Sequence, residues 1–232
     1  MSDLTGFITD ELWLHGADLV GVGSLAELPA DVRAGLPIGI AIAVKFPKEV
    51  IRGIPDLPTR AYYDHYLHLD EKLDMLASLG AECLRSFGHR AIPLTRAYVA
   101  AHATPEGSLL PHKTVATRAR LGWIGKSALL VTTPFGSMVR LTSILTDAPL
   151  RTAKPISESR CGDCQICRDA CPAKAIVGNP WAACTAREEL VDVAACQETA
   201  QERSNRAFGI PTSICGKCIE ICPYTSRYLD KH

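Results

Sequence analysis

No run of about 18 apolar residues, the length a bilayer-spanning helix needs, occurs anywhere in the 232-residue sequence. Charge of one sign is not in excess either: 25 Lys plus Arg balance 25 Asp plus Glu. That balance removes any general pull toward polyanions or an anionic membrane surface. The start, Met1 to Gly6, has no basic cluster followed by an apolar stretch, so no secretion signal is read there. The expected location is therefore the cytoplasm, with no membrane contact, where thiols stay reduced. Low-complexity tracts are absent, as are internal repeats outside the cysteine motifs.

Cysteine itself is nearly missing from the first 160 residues, where Cys83 stands alone. The other nine lie between Cys161 and Cys222. In a reducing compartment such crowding points to metal rather than to disulfides. The change in composition also predicts a boundary. Thr152 to Ser159, with Pro155 and two serines, reads as a linker, giving one domain over 1–152 and a second over 153–232.

Apolar residues make up 47% of the chain, enough for a full core. The first domain alternates between two periodicities. Leu4 to Gly16 reads as an amphipathic helix, and Asp18 to Leu25 as a short strand. Pro37 to Phe46 (PIGIAIAVKF) is β-rich and closes on Pro47, so it is expected as a buried strand. Thr59 to Phe87 predicts a long helix, since Tyr62, Tyr66, Leu69, Leu73, Leu76 and Leu79 recur every three or four residues and Gly88 follows. Ala91 to Ala97 is expected as a strand. Ser127–Thr133 and Ser137–Thr146 read as two strands joined by the turn Thr133-Pro-Phe-Gly136. The pattern is that of a layered α/β or α+β domain. Gly21-Val-Gly23-Ser-Leu-Ala26 matches the dinucleotide fingerprint G-x-G-x-x-A, but Pro29 denies it the helix that must open there. Glycines easing a strand into a loop are the better reading.

The second domain carries the strongest signal. Cys161-Gly-Asp-Cys164-Gln-Ile-Cys167-Arg-Asp-Ala-Cys171-Pro172 is C-x2-C-x2-C-x3-C-P, the spacing of bacterial two-cluster ferredoxins. Three thiolates two residues apart can wrap one corner region of a cubane, while the fourth is turned away to the other cube. The second half, Cys215-Gly-Lys-Cys218-Ile-Glu-Ile-Cys222-Pro223, lacks one cysteine at its front. By the crossover rule, one [4Fe-4S] cluster takes Cys161, Cys164, Cys167 and Cys222. The other takes Cys171, Cys215, Cys218 and a remote cysteine, either Cys184 or Cys196. Cys196, in a helical stretch from Leu190 to Gln201, is preferred over Cys184, which sits in a turn-like Asn179-Pro-Trp-Ala-Ala-Cys184. Structural zinc, usually held by two separated C-x2-C pairs, fits this pattern poorly.

Leu121-Gly-Trp123-Ile-Gly125-Lys126-Ser-Ala-Leu-Leu130, then Phe135-Gly-Ser137, Leu145-Thr-Asp147 and the cysteine run with Ala175-Ile-Val-Gly178 after it, resembles the epoxyqueuosine reductase family. The likeness covers most of residues 91–225, with 1–90 alike only in outline. That family is itself similar to the reductive dehalogenases. The resemblance implies an α+β protein: a nitroreductase-like α/β domain that binds cobalamin, followed by a two-cluster ferredoxin-like domain that feeds electrons to the cobalt. It also supports Cys196 as the remote ligand. Gly122, Trp123, Gly125, Lys126, Ser127 and Ser137 become the candidate cofactor contacts, the plain structural alternative being an ordinary tight loop. Where the family carries a proton-donating Asp, this sequence has Glu106 by ungapped counting, and His112 is the other candidate. For both, a solvated loop is the alternative.

The implied activity is that of a cobalamin-dependent iron–sulfur reductase. Its electrons would come from ferredoxin or flavodoxin, and its substrate would be a small molecule or nucleoside. Two alternatives stand beside it: a protein that reduces a corrinoid for a partner corrinoid protein, and a flavin-binding reductase. The family's tRNA-modifying members carry a helical-repeat region after the clusters. No such region follows Pro223 in this sequence, and the neutral charge does not replace it. The expectation is a short member for which tRNA is an unlikely partner.

Overall fold

The computed structural model describes residues 3–54, 56–104 and 107–230. The chain forms two compact units, each assembled from three separate stretches. One takes Met1–Val44, Leu69–Leu121 and Arg140–Ile156, and the other Lys45–His68, Gly122–Val139 and Ser157–His232.

The frame of the first unit is a four-stranded sheet in the order Leu19–Ser24, Ile38–Lys45, Val139–Thr146, Ala91–Pro93. Both outer pairings are antiparallel, with Leu19 opposite Ala43 and Ala91 opposite Thr146. Ile40 to Val44 are all fully buried, so the apolar run read from the sequence is a strand covered on both faces. The Leu19–Ser24 edge is partly closed by the Ala153 N–H donating to the Val22 carbonyl at 2.8 Å. On the long helix, Arg60–Ser86, residues 69–86 belong here. Leu69, Leu73, Leu76, Ala77 and Leu84 form its buried stripe. Gly80 lets that stripe approach the sheet: a Cβ there would stand 2.5 Å from Ile144 Cδ1.

The G-x-G-x-x-A stretch has a packing explanation. Gly21 and Gly23 lie within the first strand, and a Cβ on either would strike the backbone of Ala119 or Arg118 at 2.5 Å. The end of helix His112–Arg118 presses on the strand where a side chain would stand.

The second unit contains a small hairpin, Gly122–Ile124 with Leu130–Thr132, in which Trp123 faces Val131. Around the cysteines run three short helices, Ile166–Asp169, Lys217–Glu220 and Pro223–Leu229, and a longer one, Val193–Phe208. The longer helix begins where the Asp192 carboxylate accepts the Ala195 N–H, and it ends on Gly209 in the left-handed region. Tyr63 stacks on Phe208 with ring centroids 5.5 Å apart.

Two expected elements differ. The strand expected over Ala91–Ala97 stops at Pro93, because Thr95 Oγ1 accepts the Tyr98 N–H and starts the helix Arg96–Ala101. Of the two strands expected around Thr133–Gly136, Leu130–Thr132 pairs backward with Gly122–Ile124, while Val139–Thr146 joins the four-stranded sheet. The turn between them is closed by reciprocal bonds between Thr132 and Gly136, at 2.8 and 2.9 Å. Among the described residues, no helix is long and apolar enough to cross a membrane. The chain is a mixed helix and sheet protein.

Candidate metal centre

Nine of the ten cysteines belong to the second unit. Cys167 stands on the helix Ile166–Asp169, Cys218 on Lys217–Glu220, Cys196 on Val193–Phe208, and Cys222 immediately before Pro223–Leu229. The folding brings distant cysteines together crosswise. The Cys167 thiol is pushed up to about 11, first by burial and then by the neighbouring charges of Cys161, Cys222 and Cys164. Burial also pushes the Cys218 thiol up, reinforced by Cys215, Cys196, Cys167 and Cys171. For Cys196, burial again raises the thiol, with Cys171 and Cys215 adding to it and Arg187 opposing. Two groups emerge: Cys161, Cys164, Cys167 and Cys222 in one, Cys171, Cys196, Cys215 and Cys218 in the other, with Cys167 close enough to Cys218 for each group to feel the other. Cys184, exposed as Cys196 also is, is not among the neighbours acting on Cys167, Cys196 or Cys218. Cys83 lies in the other unit.

Such crowding tests which group would fit. Burial, reinforced by the neighbouring thiolates, makes Cys167, Cys196 and Cys218 resist deprotonation. Cationic iron at the centre reverses that resistance, and its binding would release the protons. Among the described residues, no three His, Cys, Asp or Glu side chains converge on a position for a single ion. A cubane offers one iron to each sulfur instead, so it suits four thiols held further apart.

Cross-ties fix the two halves of the motif. The Tyr224 hydroxyl donates to the Arg160 carbonyl at 3.3 Å, joining the residue before Cys161 to the turn after Cys222. The Gln165 side-chain amide donates to the Gly178 carbonyl at 3.2 Å. Trp123, 1% exposed, lies edge-on to Tyr224 with centroids 4.9 Å apart. The Arg160 guanidinium sits over its ring at 5.7 Å.

The candidate cofactor contacts fall on the hairpin and the turn beyond it. Gly122 answers to its own partner strand, since a Cβ would stand 2.2 Å from the Val131 carbonyl oxygen. Gly125 faces Val131 and, at 3.6 Å from its would-be Cβ, the Cys161 sulfur. Lys126 is 4% exposed, and among the described residues no ion pair or hydrogen bond holds its ammonium. Ser127 is half-buried, and Ser137 is buried. Gly125 lies beside Cys161 and Ser137 beside Cys222, which periodicity alone gave no means to foresee.

Glu106 lies outside the described residues. His112 belongs to the first unit, at the start of helix His112–Arg118. Its Nδ1 stands 3.2 Å from Ser143 Oγ. Burial pulls its imidazole down to about 4, helped by the Arg140 cation and opposed by Asp74. Near neutral pH the ring is therefore uncharged, so His112 has no imidazolium proton to give there. Stability follows from the same shift. Below pH 6.5 the unfolded chain takes up a proton that folded His112 refuses until about pH 4, so its contribution falls as pH drops through that window and is level above it. Replacing His112 with Gln is expected to flatten the acid side of the stability curve by up to about 3 kcal/mol between pH 6.5 and 4. Urea unfolding of the two proteins across that range measures it.

Comparison with known proteins places this geometry. Residues 160–225 match a family model described as a 4Fe-4S double cluster binding domain. The epoxyqueuosine reductase of a Synechocystis species is 33% identical over 129 residues, covering 51% of this chain and 41% of that protein. The chain spans less than half the length of the curated relatives it matches. Among solved structures, an epoxyqueuosine reductase with an epoxyqueuosine-modified tRNA-Tyr stem loop superposes with a TM-score of 0.64 at 21% identity, over 99% of this chain and 67% of that one. A reductive dehalogenase, solved in connection with B12-dependent dehalogenation, gives 0.63 at 18% identity, over 93% and 31%.

The complex with a tRNA stem loop overturns the expectation that tRNA is an unlikely partner. A sum of charges over a whole chain says nothing about where positive groups gather, and phosphate recognition depends on that local arrangement. No flavin protein figures among these likenesses, and the flavin alternative has no support. The chain is thus similar to the epoxyqueuosine reductases in sequence over about half its length and in fold over nearly all of it, and its residues 160–225 match a 4Fe-4S double cluster binding domain.

Proposed function

We propose that the chain is a corrinoid-dependent iron–sulfur reductase of the epoxyqueuosine reductase kind. The observation that carries this reading is the crosswise gathering of eight cysteines into two groups of four. Cys161, Cys164, Cys167 and Cys222 would hold one cube, and Cys171, Cys196, Cys215 and Cys218 the other. Adjacent cubes suit electrons delivered one at a time to a reaction that consumes them in pairs. A bound corrinoid would supply the low-valent cobalt at which a substrate is reduced.

The chain's own residues have definable parts in this reading. Lys126, buried without a counter-charge, would meet an anionic or strongly polar group of the cofactor. Gly125 keeps the backbone close to the Cys161 sulfur, and Trp123 shields that side from water. His112, uncharged near neutral pH, would orient a neighbour rather than release a proton as an acid. Epoxyqueuosine in a tRNA stem loop is the substrate to offer first, because a related fold was solved with that molecule.

Anaerobically purified protein should contain iron for two cubes. It should take up cobalamin with a change in the corrinoid absorption bands, and then reduce an epoxyqueuosine stem loop when given a low-potential reductant. Iron-replete protein that leaves the cobalamin spectrum unchanged would overturn the corrinoid assignment. Reduction of cobalamin with the stem loop untouched would instead point to a protein that supplies reduced corrinoid to a partner.

A further inference from the structure

Ser137 is 3% exposed. Its backbone N–H donates to Thr225 Oγ1 at 3.1 Å, but its hydroxyl has no hydrogen-bond partner of ordinary geometry. A buried hydroxyl left unsatisfied costs about 1–3 kcal/mol, so its position calls for an acceptor. The surroundings show which one. Thr225 lies three residues past Cys222, in the first turn of Pro223–Leu229. Gly136, at φ +58°, packs so closely on that turn that a Cβ would stand 2.3 Å from the Thr225 nitrogen. The backbone of 136–137 is thus clamped onto the turn that carries Cys222. The Ser137 hydroxyl lies beside the Cys222 sulfur, together with the backbone N–H groups of Tyr224 and Thr225. A protonated thiol is a weak acceptor, whereas an ionised sulfur is a good one.

We propose that Ser137 donates a hydrogen bond to the Cys222 thiolate and so sets the reduction potential of the one cube that Cys222 holds. The inference rests on the two-cluster reading above. Reduction adds negative charge that spreads onto the cluster sulfurs, and a donor aimed at one of them stabilises the reduced form and raises the potential. Removing the donor lowers it. The main influences on Cys218 and Cys196, of the second set, do not include Ser137.

The test is a redox titration of the anaerobically purified holoprotein, followed by electron paramagnetic resonance, with S137A, S137T and S137V compared. Thr and Val have nearly the same shape and differ in the hydroxyl, so any effect of packing alone is common to both. In S137A and S137V, one cluster signal is expected to move to lower potential while the other stays, and S137T is expected to return it toward the wild-type position. The variants' iron content should match wild type. Iron-replete S137V with both potentials unchanged, or with both shifted together, would overturn the proposal. An S137T that behaves as S137V does would overturn it equally. Wild-type protein without iron would instead sink the two-cluster reading on which it rests.

Discussion

Replacing Cys196 with alanine is expected to remove about half of the bound iron, while the same replacement at Cys184 leaves the iron content as it was. A cubane needs a ligand at each iron, and in the proposed ligand set Cys196 is the fourth sulfur beside Cys171, Cys215 and Cys218, to which it lies close. Losing it leaves one iron facing water and three crowded thiolates with less cation to offset them. The first cube keeps all four of its own cysteines, so half of the metal remains. Because metal binding in such a domain is coupled to folding, the C196A protein should also melt earlier and become more sensitive to chelator, whereas C184A should not. Iron assay and the visible absorption of the two variants decide the matter. Halved iron in C184A with C196A intact would transfer the ligand to Cys184.

The cysteine pattern was legible because iron fixes ligand spacing along the chain, and a run of C-x2-C-x2-C-x3-C-P admits few other uses. The long helix and the strand at Ile38–Lys45 were legible for a related reason: each is long enough for its periodicity, or for an unbroken apolar run, to outweigh local accidents. Short elements were not. Gly122–Ile124 is a three-residue strand, too brief for alternation to register, and its pairing is set by contact with Leu130–Thr132. At Ala91–Ala97 the apolar character suggested a strand throughout, although Pro93 and the capping Thr95 together mark where it must end. The interleaving of the two units has no local signature, because segments such as Gly122–Val139 and Arg140–Ile156 join different units with no break in composition between them. Ser137 was legible only as part of a family motif. That its backbone N–H meets Thr225 Oγ1 in the turn after Cys222 depends on a fold that joins residues 88 positions apart. The tRNA expectation went astray for a different reason: it was drawn from the lack of a helical-repeat region after Pro223 and from net charge, neither of which shows where positive groups gather.

Asp70 and Arg140 form the ion pair whose disruption should cost the first unit most. Both Arg140 Nε, at 3.0 Å, and its terminal nitrogen, at 2.6 Å, donate to Asp70 Oδ1, and Asp70 is only 7% exposed. Asp70→Leu would leave the guanidinium without that carboxylate, in a region where water is scarce. A loss of about 3 kcal/mol is expected, at the lower end of the range for broken buried pairs because Arg140 keeps some contact with solvent. Arg140→Met should cost a similar amount by stranding the carboxylate. The double variant should be less destabilised than the sum of the two, since it removes both charges and fills their space with apolar atoms. The nearby His112 supplies an independent readout. Arg140 is one of the groups that hold its imidazole down, so Arg140→Met should raise the His112 pKa from about 4, while Asp70→Leu, which leaves the Arg140 charge less neutralised, should not raise it. Urea unfolding gives the energies, and proton resonance titration of His112 gives the two directions. Equal cost in the single and double variants, or a His112 pKa that rises equally in both singles, would show that the pair acts through packing rather than through charge.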